Sequence, residues 1–239
     1  MKNKNLLLLA LPALLALGIT AGCSDTLGLT HITYYPTIEV LGTNPAVVYV
    51  GGTFTDEGCY VDLNGEDVTA SAKVSSNVNT SEMGIYSVTY SAVNDDGFSA
   101  SASRTVYVVK ENSIDNIYLG ESQTPTRHYT NAPIFITDNG DGTYLLDDLM
   151  GGLQFYGMNP GFEPTLDFHA EINIKIEDDN SVVAVGDVGS WYFGDSGTIT
   201  LTLSSGTYDP ATGSFVLNVM YDTATSSTAL TVTLHSIKQ

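Results

Sequence analysis

Polar and apolar residues alternate along much of this chain, and the alternation is clearest between Gly84 and Val109. A period of two is that of a β-strand with one buried face. The residues Asn94 to Gly97 ("NDDG") supply a turn between the two halves of this segment, so the pattern predicts a long β-hairpin. The apolar positions are Tyr86, Val88, Tyr90 and Ala92 in the first half and Ala100, Ala102, Val106 and Val108 in the second.

Shorter apolar runs bounded by Gly, Asn and Asp precede this hairpin and predict further strands. They lie at Thr37–Leu41, Ala46–Val50, Cys59–Val61 and Ala72–Val74. About six or seven strands between residues 34 and 109 predict a β-sandwich.

The second half of the chain is also predicted to be all β. Its strongest signal is the alternation from Leu166 to Ile176, which is incompatible with a helix. Other predicted strands lie at Ile134–Thr137, Thr143–Leu146, Val182–Val185, Trp191–Phe193, Thr198–Ser204, Phe215–Tyr221 and Ala229–His235. About eight antiparallel strands fit either a closed barrel or a two-sheet sandwich, and we favour a barrel-like meander.

The first residues have the features of an export signal. Lys2 and Lys4 precede an apolar run that is too short to span a membrane. The segment from Ile19 to Cys23 resembles the lipobox of bacterial lipoproteins, although Thr20 stands where leucine is commonest. The resemblance implies cleavage before Cys23, lipidation of its sulfur, and acyl chains such as palmitate that hold the protein in the bacterial outer membrane. A plain secreted protein is the alternative.

These features together predict five segments. They are a lipoprotein signal peptide (1–22), a tether (23–33), an N-terminal β-sandwich (34–109), a polar linker (110–116) and a C-terminal antiparallel β domain (117–239).

The charge of the chain excludes some partners. The net charge is −19, and residues 1–22 contain two of the eight basic residues and none of the 27 acidic ones. Nucleic acids and anionic lipid surfaces are bound through clustered Lys and Arg side chains, so neither is an expected direct partner.

Two segments of the first half resemble a known family. "GTFTDEG" (Gly52 to Gly58) and "GIYSVTYSA" (Gly84 to Ala92) are similar to the bacterial surface immunoglobulin-like domain, and the similarity extends from about Pro36 to Val109. That family implies an immunoglobulin-like sandwich serving as a spacer in outer-membrane lipoproteins of glycan-degrading Gram-negative gut bacteria. The segment Tyr208 to Asp222 resembles uncharacterised C-terminal domains found beside this module.

No motif predicts catalysis or a cofactor. "GDSG" at Gly194 to Gly197 matches the nucleophile motif of trypsin-like proteases, but no histidine lies in the context that the triad requires. The stretch Thr137 to Asp148 matches a calcium loop only in part. Acidic loops around Asp56 and Asp67 could hold calcium, although solvated turn carboxylates explain them more simply. The histidines lack metal-ligand spacing, so we predict no metal site and no enzyme. A glycosidase using carboxylates such as Asp147, Asp167 and Asp195 is a weaker alternative.

Aromatic residues beside Gly-rich loops suggest glycan binding, because the apolar face of a sugar stacks on an exposed ring while amides and carboxylates bind its hydroxyls. The candidates are Tyr192, Trp191, Tyr156 and Asp195. In a strand Trp191 and Phe193 share a face, so the alternative is that they close one end of the barrel. Short Asp-Thr motifs also make Thr26 and Thr223 candidates for O-glycosylation.

These observations predict a non-catalytic surface lipoprotein of the outer membrane that binds glycan as an accessory to a polysaccharide-uptake system. Its expected partners are the membrane, through the lipid anchor, together with glycans and other outer-membrane lipoproteins or uptake porins. The alternative is a structural or adhesion subunit that binds another envelope protein. The protein is expected to face the cell exterior, with the periplasm as the alternative.

Overall fold

The computed structural model describes residues 32–158, 169–188, 191–192 and 197–238. The fold is all β, as predicted, with an immunoglobulin-like unit followed by a barrel-like unit. No helix in this part of the chain has the length and apolarity needed to cross a membrane.

The N-terminal unit is a sandwich of two sheets, which confirms the immunoglobulin-like prediction. One sheet has the order β1-β3-β4, and the other has the order β2-β7-β6-β5, with β2 parallel to β7. The strands are β1 (Thr37–Val40), β2 (Ala46–Tyr49), β3 (Cys59–Leu63), β4 (Glu66–Asp67), β5 (Lys73–Ser76), β6 (Gly84–Val93) and β7 (Ser99–Val109), with a 3-10 turn at Thr69–Ser71.

The predicted hairpin is β6 and β7, and its alternation places the expected residues in the core. Val88, Tyr90, Ala92, Val106 and Val108 are buried between the two sheets. Cys59 is buried against them, and burial raises the pKa of its thiol. Burial of this apolar surface stabilises the sandwich by the hydrophobic effect.

One buried residue on the same face of β7 is charged. Arg104 is 1% exposed, and its Nε donates to Asp56 Oδ1 at 3.0 Å. Tyr90 donates its hydroxyl to the same oxygen at 2.5 Å, and the guanidinium also donates to the carbonyls of Leu41 and Thr43. A buried charge is tolerated only when it is paired in this way. Arg104 therefore connects β7 to the loop that follows β1 and to the loop that precedes β3.

The C-terminal unit is one sheet of nine strands, all antiparallel to their neighbours. Its order is β12-β11-β10-β9-β8-β16-β15-β14-β13. The strands are β8 (Asn116–Gln123), β9 (His128–Asp138), β10 (Tyr144–Leu146), β11 (Ile172–Ile176), β12 (Val182–Val185), β13 (Trp191–Tyr192), β14 (Thr198–Asp209), β15 (Ser214–Asp222) and β16 (Ser227–Ser236).

The sheet curls until its two ends meet. Ser181, just before β12, forms a bridge with Thr207 of β14, and the Tyr208 N–H donates to the Asn180 carbonyl at 2.9 Å. This contact joins β12 to β14, so eight of the nine strands form a nearly closed barrel and β13 lies outside the closure. The closure confirms the barrel interpretation over the sandwich. The interior is filled by apolar side chains such as Ile134, Leu146, Ile174, Phe215 and Val232.

Several strands differ from the predicted ones: β4 was not predicted, β9 begins at His128 and not at Ile134, and β8 and β11 also differ. β8 was not predicted, because both of its faces are buried and its apolar residues do not alternate with polar ones. Tyr118 packs inside the barrel, whereas Ile117 packs on the outside, against the N-terminal unit. β11 begins at Ile172, later than predicted, and Leu166 and Phe168 lie outside the described residues.

The two units meet through an apolar cluster, which we call the joint. Tyr107 and Val109 of β7 contact Ile117 of β8 and Ile237, and partly buried side chains complete the cluster. The connection itself is short, since β7 ends at Val109 and Asn116 begins β8. The Asn116 side chain accepts from the Lys110 N–H at 3.0 Å and donates to the Lys110 carbonyl at 2.6 Å. This clamp fixes the turn between the units.

The strand registers define two ends of the barrel. Ser236 pairs with Tyr118 at the end beside the joint, whereas Gln123 pairs with His128 and Asp222 pairs with Ser227 at the opposite end. We call this opposite end the distal mouth. The first described residues of the chain lie at the end of the sandwich away from the joint, where the Asn94 amide donates to the Tyr34 carbonyl at 2.6 Å.

Candidate functional site

A segment of the chain folds across the distal mouth of the barrel. This mouth segment, residues 148–158, places Leu149, Met150, Leu153 and Phe155 in buried positions and ends in a π-helical turn over Leu153–Met158. Gly152 makes the path possible, because its φ is +84° and a Cβ would lie 2.1 Å from the Cβ of Ala132. The segment closes most of the barrel end.

Two buried polar side chains hold the mouth segment in place. The Asp148 carboxylate accepts from the N–H groups of Met150 (2.9 Å), Gly152 (2.7 Å) and Ala170 (3.3 Å). Ser122 Oγ lies 2.7 Å from the Met150 carbonyl oxygen, to which it donates. Burial raises the pKa of Asp148, while the backbone hydrogen bonds act in the opposite direction. The mouth segment is therefore a rigid part of the barrel.

The neighbouring carboxyl, Asp147, is also inside the wall. Its Oδ1 accepts from the Phe135 N–H at 2.9 Å. Desolvation raises the pKa of Asp147 to about 7, and the nearby charge of Asp148 adds to this effect. Asp167 and Asp195, the other carboxylates considered for a glycosidase pair, lie outside the described residues.

Beside the mouth segment lies a cavity of about 150 Å³. Its lining combines apolar and aromatic residues with three threonines and one arginine. The apolar and aromatic residues are Met150, Leu153, Met158, Tyr221 and Leu230, and the polar ones, which we call the rim, are Thr124, Thr126, Arg127 and Thr228. A second cavity of about 250 Å³ adjoins it and adds His128, Tyr129 and Gly157 to the lining. Apolar walls with a few convergent polar groups are typical of small-ligand sites.

The rim is shaped by the turn between β8 and β9. Thr124 is 8% exposed, and its Oγ1 accepts from the N–H groups of Arg127 (2.9 Å) and Thr126 (3.3 Å). The Thr124 N–H in turn donates to the Arg127 carbonyl at 2.8 Å. These hydrogen bonds fix the backbone of Arg127, while its side chain is exposed at the rim.

The predicted glycan-binding residues fall at this same end where the structure describes them. Tyr156 belongs to the mouth segment and is half-buried, with its ring 4.7 Å from that of Phe155 in an edge-to-face contact. The backbone of Trp191 and Tyr192 pairs with Ile199 and Thr198, at the distal start of β14. Asp195 lies outside the described residues.

The other predicted residues have less to do with the mouth. Thr223 lies in the distal turn between β15 and β16, where its Oγ1 accepts from the Ser226 N–H at 3.1 Å. Cys23, Thr26 and most of the "GDSG" motif lie outside the described residues.

The carboxylates of the acidic loops are used in hydrogen bonds and ion pairs within the protein. Asp56 binds Arg104 and Tyr90, Asp67 accepts from the Thr69 N–H at 2.9 Å, and Asp141 accepts from the Thr143 N–H at 3.0 Å. Among the described residues, no three His, Cys, Asp or Glu side chains are grouped as metal ligands.

Sequence reasoning missed the residues that line the cavity. Thr124, Arg127 and Tyr221 come from different turns and strands, and only the barrel brings them together. One signal was available, because Arg127 is the only arginine between residues 117 and 239.

Two family models of known proteins match the chain. A family model for the Ig-like domain of bacterial surface proteins matches residues 38–108, and a model for a C-terminal domain matches residues 105–236, more than half of the chain. The chain belongs to the family that the C-terminal-domain model describes. It combines the surface Ig-like domain with that C-terminal domain.

A solved structure agrees with this assignment. The crystal structure of the lipoprotein BT2262 from Bacteroides thetaiotaomicron is 26% identical, with a TM-score of 0.53, and the match covers 84% of this chain and 100% of that one. A structure of CBM51-2 in complex with GlcNAc and INT domains from Clostridium perfringens ZmpB is 12% identical, with a TM-score of 0.27, and covers 84% of this chain and 44% of that one. That TM-score is too low to support any argument about this chain. No curated protein matches.

Proposed function

We propose that this protein is a non-catalytic lipoprotein of the bacterial outer membrane that binds glycan at the distal mouth of its barrel, as an accessory to a polysaccharide-uptake system. The observation that carries the proposal is the pair of adjoining cavities beside the mouth segment. Their chemistry suits a sugar, since Tyr221 and Tyr129 offer ring surface for the apolar face of a pyranose and three threonines offer hydroxyls for its polar edge.

The order of the parts along the chain also supports this function. Cys23 lies nine residues before Ile32, where the description begins, so an extended tether would reach about 30 Å at most. The sandwich and the joint follow, and the distal mouth is the end of the barrel farthest along this path. A protein anchored at Cys23 would therefore present its mouth away from the membrane. The likeness to a Bacteroides lipoprotein supports the anchor.

Affinity electrophoresis tests the glycan claim. The purified protein is run in gels containing a panel of polysaccharides, alongside Tyr221→Ala and Tyr192→Ala. We expect at least one polysaccharide to retard the protein. Both variants should lose this retardation, because an aromatic side chain in a sugar-binding site supplies much of the contact area. Tyr60→Ala is the matched control, since Tyr60 is an exposed tyrosine of the sandwich. If no polysaccharide retards the protein, glycan binding is wrong.

Mass spectrometry tests the anchor separately. Native protein should begin at Cys23 and carry the added mass of acyl chains, and Cys23→Ser should abolish both the added mass and membrane association. Protease treatment of intact cells then distinguishes the exterior from the periplasmic face. An intact leader or a free thiol at Cys23 would refute this part of the proposal.

One observation favours the alternative of a structural subunit. β5 is an edge strand of the sandwich, all four of its residues are exposed, and Val74 is 58% exposed. An open edge can pair with a strand of another protein. This function predicts that a stable envelope partner co-purifies with the protein and that Val74→Lys releases it.

A further inference from the structure

Arg127 lines both cavities of the distal mouth. Thr126, Leu153 and Met158 are also shared, so the two cavities adjoin and form one groove with Arg127 in its lining. A ligand that fills both cavities would therefore contact Arg127.

In the part of the chain that the structure describes, Arg127 is in no ion pair, unlike three other basic residues of this acidic protein. Within the described ranges, Arg104 pairs with Asp56, Lys110 with Asp115, and Lys175 with Glu177. None of the ion pairs in those ranges involves Arg127. The acidic residue of the adjoining strand β8, Glu121, contacts His128 and His235 instead, each at 2.8 Å.

Hydrogen bonds to the neighbouring residues fix the backbone of Arg127. Thr124 Oγ1 accepts from the Arg127 N–H, and the Arg127 carbonyl accepts from both the Thr124 N–H and Gln123 Nε2. A fixed backbone reduces the entropy that a ligand contact must overcome. An arginine at a groove, with a fixed backbone and a side chain outside the ion pairs of the described residues, offers a planar pair of donors to a carboxylate.

We infer that the glycan bound at the distal mouth is acidic, with the carboxylate of a uronic acid unit on Arg127 and neighbouring sugar units in the two cavities. This inference rests on the proposed function. The net charge of the chain is strongly negative and repels a polyanion over most of the surface, so the contact with the carboxylate has to be local to Arg127 and the groove. Arg127 is then the residue that determines specificity.

Matched ligands test the inference. Polygalacturonate, alginate and hyaluronan are each compared with their carboxyl-reduced forms, which keep the backbone and lose the charge. We expect retardation by at least one acidic polymer and at least tenfold weaker binding to its reduced form. Calorimetry with the corresponding oligosaccharides gives the affinities.

Arg127→Gln should lower affinity for the acidic form at least tenfold and leave affinity for the reduced form within about twofold. Arg127 is exposed, so the variant is expected to melt at the temperature of the wild type. Lys73→Gln is the matched control, since it removes the same charge from an exposed strand of the sandwich. It should bind both forms like the wild type.

The outcomes separate this inference from the proposed function. If neutral polysaccharides bind, acidic forms bind no better, and Arg127→Gln changes nothing, the inference is wrong and glycan binding stands. If no polysaccharide of either kind binds, both are wrong. A preference for acidic forms that survives in Arg127→Gln would also overturn the role of Arg127.

Discussion

Replacement of Asp147 by Asn should stabilise the protein at neutral and alkaline pH. The pKa of Asp147 is raised from its usual 3.8 to about 7, chiefly by desolvation in the barrel wall. A raised pKa means that the folded state holds a proton after the unfolded state has lost it. Stability is therefore complete at low pH, falls as the pH rises from about 4 to about 7, and stays low above that.

The magnitude follows from the two pKa values. Each pH unit between them corresponds to about 1.36 kcal/mol, so the charge on Asp147 costs about 4 kcal/mol at pH 8 and under about 2 kcal/mol at pH 5. Asn cannot ionise, and its Oδ1 can still accept from the Phe135 N–H. The variant should thus gain about 4 kcal/mol over the wild type at pH 8 and much less at pH 5.

Urea unfolding followed by circular dichroism at pH 5, 6, 7 and 8 measures this difference. Asp141→Asn is the control of opposite sign, because hydrogen bonds from Thr143 lower the pKa of Asp141 and its stabilising charge is lost only as the pH falls. A constant difference between Asp147→Asn and the wild type across this range would refute the reasoning, as would destabilisation at pH 8.

Three further substitutions test the architecture by equilibrium unfolding. Gly152→Ala should destabilise the protein by about 2–5 kcal/mol, because it forces a left-handed backbone and a clash with Ala132, whereas Gly140→Ala, which meets open space, should cost only about 1–2 kcal/mol. Equal costs would exclude the clash. Asp56→Leu should cost about 3–5 kcal/mol because it leaves the buried Arg104 guanidinium without its carboxylate, and the double variant with Arg104→Met should recover part of that loss. Additive losses would contradict the pairing. Asn116→Ala should cost about 1–3 kcal/mol and speed amide exchange of Lys110, and unchanged exchange would show that the clamp does not hold the turn.

Much of the fold could be predicted because its strands have one buried and one exposed face. β6 and β7 alternate visibly, and so do β15 and β16, where Leu217, Val219, Leu230 and Val232 are buried at every second position. β8 escaped prediction for the opposite reason, since the joint covers its outer face and the alternation disappears. Local pattern cannot reveal burial that depends on a second unit.

The candidate site was less predictable than the fold. The aromatic clusters indicated the end of the barrel at which the two cavities lie, since Tyr156 and the backbone of β13 are both at the distal mouth. The cavity beside them depends on the return of Tyr221 and Leu230 to the turn at Thr124, which only the closed sheet order produces. The burial of Arg104 was equally invisible, because an arginine at an alternating position is usually a solvated residue.

The joint has a consequence for how this molecule can be divided. Its apolar contacts mean that severing the chain at residue 110 would leave Tyr107 and Val109 bare on one fragment and Ile117 and Ile237 bare on the other. Each half would then expose an apolar patch, so neither half can be fused to an unrelated protein as a self-contained domain. The two family matches overlap at residues 105–108 of β7, so each of them includes Tyr107, which the joint buries.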